Sequence, residues 1–256
     1  MEPELLIQLY LAFWLAVLGA VAGSFLCCAA DRGGLPTGRS RCDSCGRVLS
    51  GRELIPIFSY LLSRGRCRAC GAKIPAVCLA AEIAGAVSFA ALGLRFGPRP
   101  ELVMQVILCA ILLLLSLIDW ERRLLPDKLL LLAIVNRAAF LLILKEPLGE
   151  TLPRMALGAL SVSLPLLVLS LAMDHLLGRE SMGGGDIKLL FVLGLYLSWM
   201  EMILLVFVGC VLALLWAAAR RKHGGEIPFG PFLAAAWLAV VLFSGPLIQW
   251  YQSLLW

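Results

Sequence analysis

Two aspartates stand at the edges of apolar runs, where an ionised group is costly. Asp119 closes one run in LLSLIDWERRLLPDKL, and Asp186 follows three glycines in ESMGGGDIKLL. A charge in such a place needs a reason. Two carboxylates held within a few ångströms at low dielectric cannot both ionise, so they share one proton and titrate as a pair. One then takes a proton from water while its protonated partner polarises a peptide carbonyl, which is acid–base hydrolysis of a peptide bond. This chemistry requires neither a metal nor a nucleophilic side chain. Both histidines, His175 and His223, lie in short loops without partners at ligand spacing. A peptide bound at membrane depth must be extended and needs backbone partners. Gly183, Gly184 and Gly185 offer a backbone with no side chain in the way, and Lys188 groups with them as a substrate contact. The alternative is that Asp186 is an N-cap and Lys188 a lipid-headgroup contact.

The remaining acids near apolar runs read differently. Asp127 follows Pro126 in the first turn of a helix, where an acid suits the positive dipole end, so it is structural. Asp174 with His175 marks a solvated helix end, and Glu201 an outer turn.

Four of the nine cysteines form two C-x-x-C knuckles, CDSC at Cys42 and Cys45 and CRAC at Cys67 and Cys70, separated by 21 residues. Each knuckle supplies two thiolates from one tight turn, which suits tetrahedral zinc; Gly46 and Gly71 follow the knuckles directly. With all four positions filled by protein, the zinc is structural: it holds a segment too small to fold by burial alone. Two disulfides are the alternative, disfavoured on the reducing side of a membrane. Cys27, Cys28, Cys78, Cys109 and Cys210 lack partner spacing and read as small apolar packers.

The elements that must position these groups follow from composition. At 61% hydrophobic and 15% charged, the 256 residues cannot assemble a water-facing surface, so the chain is an integral membrane protein. Leu5 to Ala30 is too long for a signal-peptide core and has no basic residues ahead of it, so it reads as a retained span. Further apolar runs fall near 77–94, 102–118, 129–144, 155–173, 187–197, 202–219 and 229–248, giving eight candidate helices. The run 187–197 is short for a bilayer that needs roughly 20 residues, so the glycines before it are expected at membrane depth. With the N-terminus outside, the inner segments 31–76, 120–128, 174–188 and 219–228 hold 17 of the 22 basic residues. Arg137 is left inside a span. Asp119 and Asp186 then lie at the same inner face. The net charge of +5 reads as topology and attraction to anionic lipid, with no nucleic acid required. The expected fold is an all-α polytopic membrane protein of about eight transmembrane helices. It divides into a first helix (1–30), a cytoplasmic four-cysteine zinc domain (31–76) and a transmembrane bundle with the aspartate site (77–256).

Five stretches, in order, carry a resemblance that covers nearly the whole chain: AGSFLCCAADRGGLP, LIPIFSYLLSRGRCRACGAKI, LIDWERRLLPDKL, GGGDIKL and EIPFGPFLA. They are similar to the G-S-F-L-N-V…R-x-P box, the stretch leading into the second knuckle, the first aspartate motif, the G-x-G-D motif and the opening of the last helix in bacterial type IV prepilin peptidases. Those are bifunctional leader peptidases and N-methyltransferases of the inner, or plasma, membrane. The resemblance implies that Asp119 and Asp186 match the catalytic aspartates of a G-x-G-D intramembrane protease. It implies type IV prepilins or pseudopilins as substrates, cut after a glycine on the cytoplasmic side of their hydrophobic segment. It further implies methylation of the new amino group with S-adenosylmethionine, associated with the cysteine-bearing amino-terminal part. Cys27 stands where the family has asparagine, and AVCLAAE replaces Y-P-x-V-E with Glu82 retained; both departures fall in the methyltransferase half, and Glu82 is either a functional acid that the resemblance implies or one buried near the inner interface beside Lys73. No glycine-rich strand-to-helix loop is present, so the residues that bind S-adenosylmethionine are not identified. The competing functions are a leader peptidase without methylation, and a membrane scaffold or transporter with a zinc-bound cytoplasmic domain. A transporter would spread polar groups along mid-membrane positions, whereas the acids here cluster at one face.

Overall fold

The computed structural model describes residues 3–34, 38–42, 44–178, 183–219 and 227–255. Outside them fall Leu35–Thr37 and Asp43, the residues Arg179 to Met182 ahead of the glycines, and Arg220 to Glu226 with His223. Among the described residues the fold is all-α, with strand-like pairing only at two isolated bridges. The helices are α1 (Pro3–Arg32), α2 (Phe58–Leu62), α3 (Ala76–Phe96), α4 (Pro100–Arg122), α5 (Asp127–Ile143), α6 (Leu148–Leu177), α7 (Gly184–Gly194), α8 (Trp199–Ala219) and α9 (Gly230–Leu255).

Each of the eight apolar runs falls in one helix, and α2 lies in the segment between the first two of them. Five helices, α1, α3, α4, α6 and α8, are long and apolar enough to cross a membrane. The 17 residues of α5 and the 11 of α7 fall below the roughly 20 that a crossing needs. The described apolar part of α9, Gly230–Gly245, is short as well. The protein is therefore multi-pass: among the described residues, five of the eight expected helices meet the length and composition of a full crossing, and α5, α7 and the described part of α9 are shorter. Large apolar side chains such as Phe13, Leu142, Leu169, Phe207 and Leu215 point outward, as they must when the solvent is lipid.

The chain forms two compact units, Met1–Leu117 and Ile118–Trp256. In the first, α1 and α3 pack antiparallel through small residues spaced by four: Gly19 and Gly23 on one helix, Ala81 and Gly85 on the other. A Cβ on Gly19 would stand 2.2 Å from the Gly85 carbonyl oxygen, and one on Gly23 would stand 2.3 Å from that of Ala81. The backbones touch, and dispersion between them replaces the hydrophobic drive that lipid cannot supply. Gly19→Leu should therefore force the helices apart at a cost of about 3 kcal/mol, read as a Tm lower by about 10 °C in micelles; an unchanged Tm would deny the close approach.

In the second unit α7 packs against α6 in the same way. A Cβ on Gly158 would lie 2.4 Å from the Gly194 carbonyl oxygen. Leu190 and Leu193 of α7, with Met202, Leu205 and Leu233, are fully enclosed. The far end of α7 is tied by polar groups. Arg137, only 8% exposed, donates from Nε to the Leu195 carbonyl at 3.1 Å, and from Nη1 and Nη2 to Glu146 at 2.9 Å each. The arginine that the sequence leaves inside a span is thus an ion-paired cap on orphan carbonyls at the end of a short helix. Its fork holds the Glu146 carboxyl, in the loop after α5, below the usual carboxylate range. Asn136 Nδ2 donates to the Tyr196 hydroxyl at 3.0 Å, alongside. Glu201 does more than mark a turn: it accepts from the Ser198 N–H at 2.8 Å and the Ser198 hydroxyl at 2.9 Å at the start of α8, and from the Ser244 hydroxyl at 2.7 Å.

Candidate active site and zinc centre

Asp119 sits in the last turn of α4 and is 6% exposed. Asp186 is the third residue of α7, whose N-cap is Gly183 in extended backbone, φ −63° and ψ 123°. Asp186 is therefore not the cap, because the residue that leaves the helical conformation is three positions earlier. The fold of the second unit brings the two carboxylates near enough for the charge of Asp119 to act directly on Asp186. The Arg123 guanidinium acts on Asp119 in turn. From a third helix, the Gly230 backbone N–H donates to Asp119 Oδ2 at 2.9 Å. A buried and a half-buried carboxylate on separate helices, each within reach of the other's charge, have the arrangement that a water-activating acid pair needs.

The three glycines take different places. Gly183 is extended, and a Cβ there would come within 3.4 Å of Asp186 Oδ2. Gly184 and Gly185 open the helix, so only Gly183 offers extended backbone. Gly185 packs on Leu125, whereas space beside Gly184 is open. Gly184 and Lys188 border an apolar groove of about 670 Å³ between α5, α6 and α7, walled by Leu131, Ile134, Leu160, Leu164 and Phe191. At the same end Lys188 Nζ donates to Asp127 Oδ1 at 2.8 Å, with both side chains well exposed. Asp127, expected only to favour its helix start, thus also ties α5 to α7.

The four cysteines come together in the first unit. Their sulfurs all lie within 4.8 Å of one another, with Cys42 Sγ and Cys70 Sγ 3.8 Å apart. Thiolates at the zinc–sulfur distance of about 2.3 Å define a tetrahedron with edges of about 3.8 Å, so the set fits the ion. None of the nine cysteines is in a disulfide. The two knuckles repeat one hydrogen-bond register. Cys42 N–H donates to the Arg47 carbonyl at 2.9 Å and Gly46 N–H to the Cys42 carbonyl at 2.8 Å, while Leu49 N–H reaches Ser40 at 2.9 Å. At the corresponding positions Cys67 bonds Ala72 at 2.8 Å, Gly71 bonds Cys67 at 2.9 Å and Ile74 bonds Gly65 at 2.8 Å. Both turns need a left-handed residue after the second cysteine, supplied by Gly46 at φ 69° and Gly71 at φ 72°. The backbone N–H groups of Cys70 and Ala69 point at the Cys67 sulfur and hold its thiol down to about 6, which favours the ligating thiolate.

Two described acids near the knuckles, Glu53 and Glu82, make structural bonds. Glu53 accepts from Ser50 N–H at 2.9 Å and from its hydroxyl at 2.8 Å, and pairs with Arg47. Glu82, 8% exposed on α3, accepts the Ile57 N–H at 2.6 Å. Ile57 has φ 64° and ψ −56°, and Phe58 N–H bonds Pro56 two residues back at 2.6 Å. This is the rare, strained γ-turn, unfavourable for a β-branched residue. Of the two roles open to Glu82, the buried carboxylate holding that turn is the one with a partner.

Sequence reasoning did not find Gly230, whose partner lies 111 residues away. Nor did it find the S-x-x-E capping boxes at Ser50–Glu53 and Ser198–Glu201, which the spacing alone could have signalled.

Comparison with known proteins matches residues 17–96 to the bacterial peptidase A24 N-terminal domain and residues 106–218 to the type IV leader peptidase family. A Bacillus subtilis (strain 168) protein named prepilin leader peptidase/N-methyltransferase is 33% identical over 246 residues, covering 93% of this chain and 96% of its own. Proteins of the same name from Aeromonas salmonicida (strain A449) and Burkholderia pseudomallei (strain K96243) are 34% and 35% identical, with 87% and 91% of this chain and 77% of each relative covered. No solved structure matches.

Proposed function

The chain belongs to the type IV leader peptidase family, and from that premise we propose that it is a bifunctional membrane enzyme. It cleaves type IV prepilins or pseudopilins after a glycine and then methylates the new N-terminal residue. The observation that carries the peptidase half is the pairing of Asp119 with Asp186 on two helices of one unit, with Gly230 donating to the first. Gly183 supplies extended backbone beside Asp186, and Gly184 and Lys188 lead into the apolar groove. The scissile peptide lies over the acid pair, and the substrate's hydrophobic segment follows the groove between α5, α6 and α7. The enzyme resides in the bacterial inner membrane with the aspartates and the cysteine segment on the cytoplasmic side. The placement of 17 of its 22 basic residues supports that orientation.

Cys42, Cys45, Cys67 and Cys70 hold a zinc ion that is structural, since four thiolates leave no position for substrate. The segment 31–76 so organised serves methylation, and residues 77–256 carry cleavage. S-adenosylmethionine supplies the methyl group. Glu53 is bonded to Ser50 and Arg47 and Glu82 to Ile57, and no methyl-transfer step is assigned to a named side chain.

Full-length protein incubated with a prepilin and S-adenosylmethionine should yield a cut pilin whose first residue has gained one methyl group, read by mass spectrometry. The second reading, peptidase alone, is favoured by Cys27 in place of the family's asparagine. A cut but unmethylated product selects it, and an uncut precursor denies both.

A further inference from the structure

Neither hydrolysis nor methyl transfer by itself requires the stretch EIPFGPFLA at the opening of α9. Its Gly230 N–H lies 2.9 Å from Asp119 Oδ2. A Cβ on Gly230 would stand 2.8 Å from that oxygen and 3.3 Å from Asp119 Cγ, so every other residue type would displace the carboxylate. Pro231 comes next, with a φ suited to a first helical turn and no N–H to leave unsatisfied. The positive end of α9 therefore begins at Asp119.

An N–H can only donate, so it favours the carboxylate form of the oxygen it meets. The groups that act on Asp119 are this N–H from α9, the Arg123 charge from the chain after α4, and Asp186 from α7. Burial acts against charge on both aspartates and each acts against the other, but only Asp119 also has an N–H and a guanidinium that favour its negative charge. We infer that Gly230 is a positioning residue which fixes Asp119 as the ionised, water-activating member of the pair and leaves the shared proton on Asp186.

With Oδ2 engaged, Oδ1 is the oxygen that works. It takes a proton from water as the water oxygen bonds to the scissile carbonyl carbon, and the Asp186 proton passes to the carbonyl oxygen. On collapse, the proton on Asp119 goes to the leaving nitrogen, the C–N bond breaks, and one diol hydroxyl returns its proton to Asp186. Both aspartates end as they began.

The inference rests on the aspartate pair being the hydrolytic centre. Its test uses full-length protein in nanodiscs cutting a prepilin precursor. In one variant glycolic acid replaces Gly230, exchanging the N–H for an ester oxygen without added bulk; in the other Gly230→Ala displaces the carboxylate. The ester should lower kcat about tenfold to a hundredfold with KM within about twofold, because the bond lost is to a charged group and not to substrate. The alanine should lower kcat further. A kcat for the ester within about twofold of the natural enzyme, or a loss that lies in KM, overturns the inference, and because the ester adds no volume this holds even if Gly230→Ala fails to fold. Cleavage by Asp119→Asn or Asp186→Asn would instead remove the underlying reading, whatever position 230 does.

Discussion

Asp119→Asn and Asp186→Asn are each expected to lower prepilin cleavage by at least about 10³-fold while the protein still inserts and binds zinc. Asparagine keeps the shape of the side chain and leaves an oxygen for the Gly230 N–H, but it cannot take a proton from water or pass one to a carbonyl. Packing around the site barely changes, so the loss must appear in turnover. Asp127→Asn is the informative contrast, since it removes a carboxylate from the same end of the same unit. Its partner Lys188 and Asp127 itself have side chains 59% and 74% exposed, and a solvated pair of this kind contributes at most about 1 kcal/mol. Cleavage by this variant should stay within about fivefold of the natural enzyme. Mass spectrometry of a co-expressed pilin reads all three. Retained cleavage with Asp119→Asn, or its loss with Asp127→Asn, would overturn the assignment.

Cys67→Ser is expected to bring zinc content from about one ion per chain to none, and to abolish methylation before it affects cleavage. The metal-holding segment has little else to stabilise it. Among its described residues only Cys67 is a buried hydrophobic side chain, and the backbone hydrogen bonds of each knuckle close on that knuckle, leaving the sulfurs as the contact between them. Without the ion, four thiols are left facing one another and the two turns have no tie between them. Folding of such a small unit and binding of its metal are one event. Metal analysis, limited proteolysis between residues 38 and 75, and separate assays of cutting and methylation measure the outcome. Full zinc content in the variant would rule out the four-sulfur site. Equal loss of both activities would mean that cleavage too depends on the zinc-held segment.

Much of this was legible in the sequence because the signals are local. The run 129–144 and the helix Asp127–Ile143 nearly coincide, since apolar length and the flanking Pro126 are both properties of a few adjacent residues. The zinc ligands were legible for the same reason: two identical turns, each ending in a left-handed glycine. Helix length was less legible, because an apolar run reports burial in lipid or in protein without distinguishing them, and more than half of α7 is buried in protein. The aspartates could be named from their cost, but Gly230 could not, because glycine carries no charge of its own and its partner is on another helix. Arg137 looked anomalous for a related reason. Its compensation comes from Glu146, nine residues on in the loop after α5, and from a carbonyl 58 residues away, and the apolar run that holds the arginine displays neither.

The brevity of α7 bears on the lipid around the enzyme. Eleven residues of helix measure about 16 Å, roughly half the hydrocarbon thickness of a bilayer. Where this wall meets acyl chains, the leaflets must pinch inward or the chains must bend over the ends of the helix, at a fraction of a kcal/mol per ångström. Such a dimple shortens the path by which water reaches the aspartates, so turnover becomes a property of the membrane as well as of the protein: vesicles of short-chain lipids relieve the distortion, and thick, sterol-stiffened ones aggravate it.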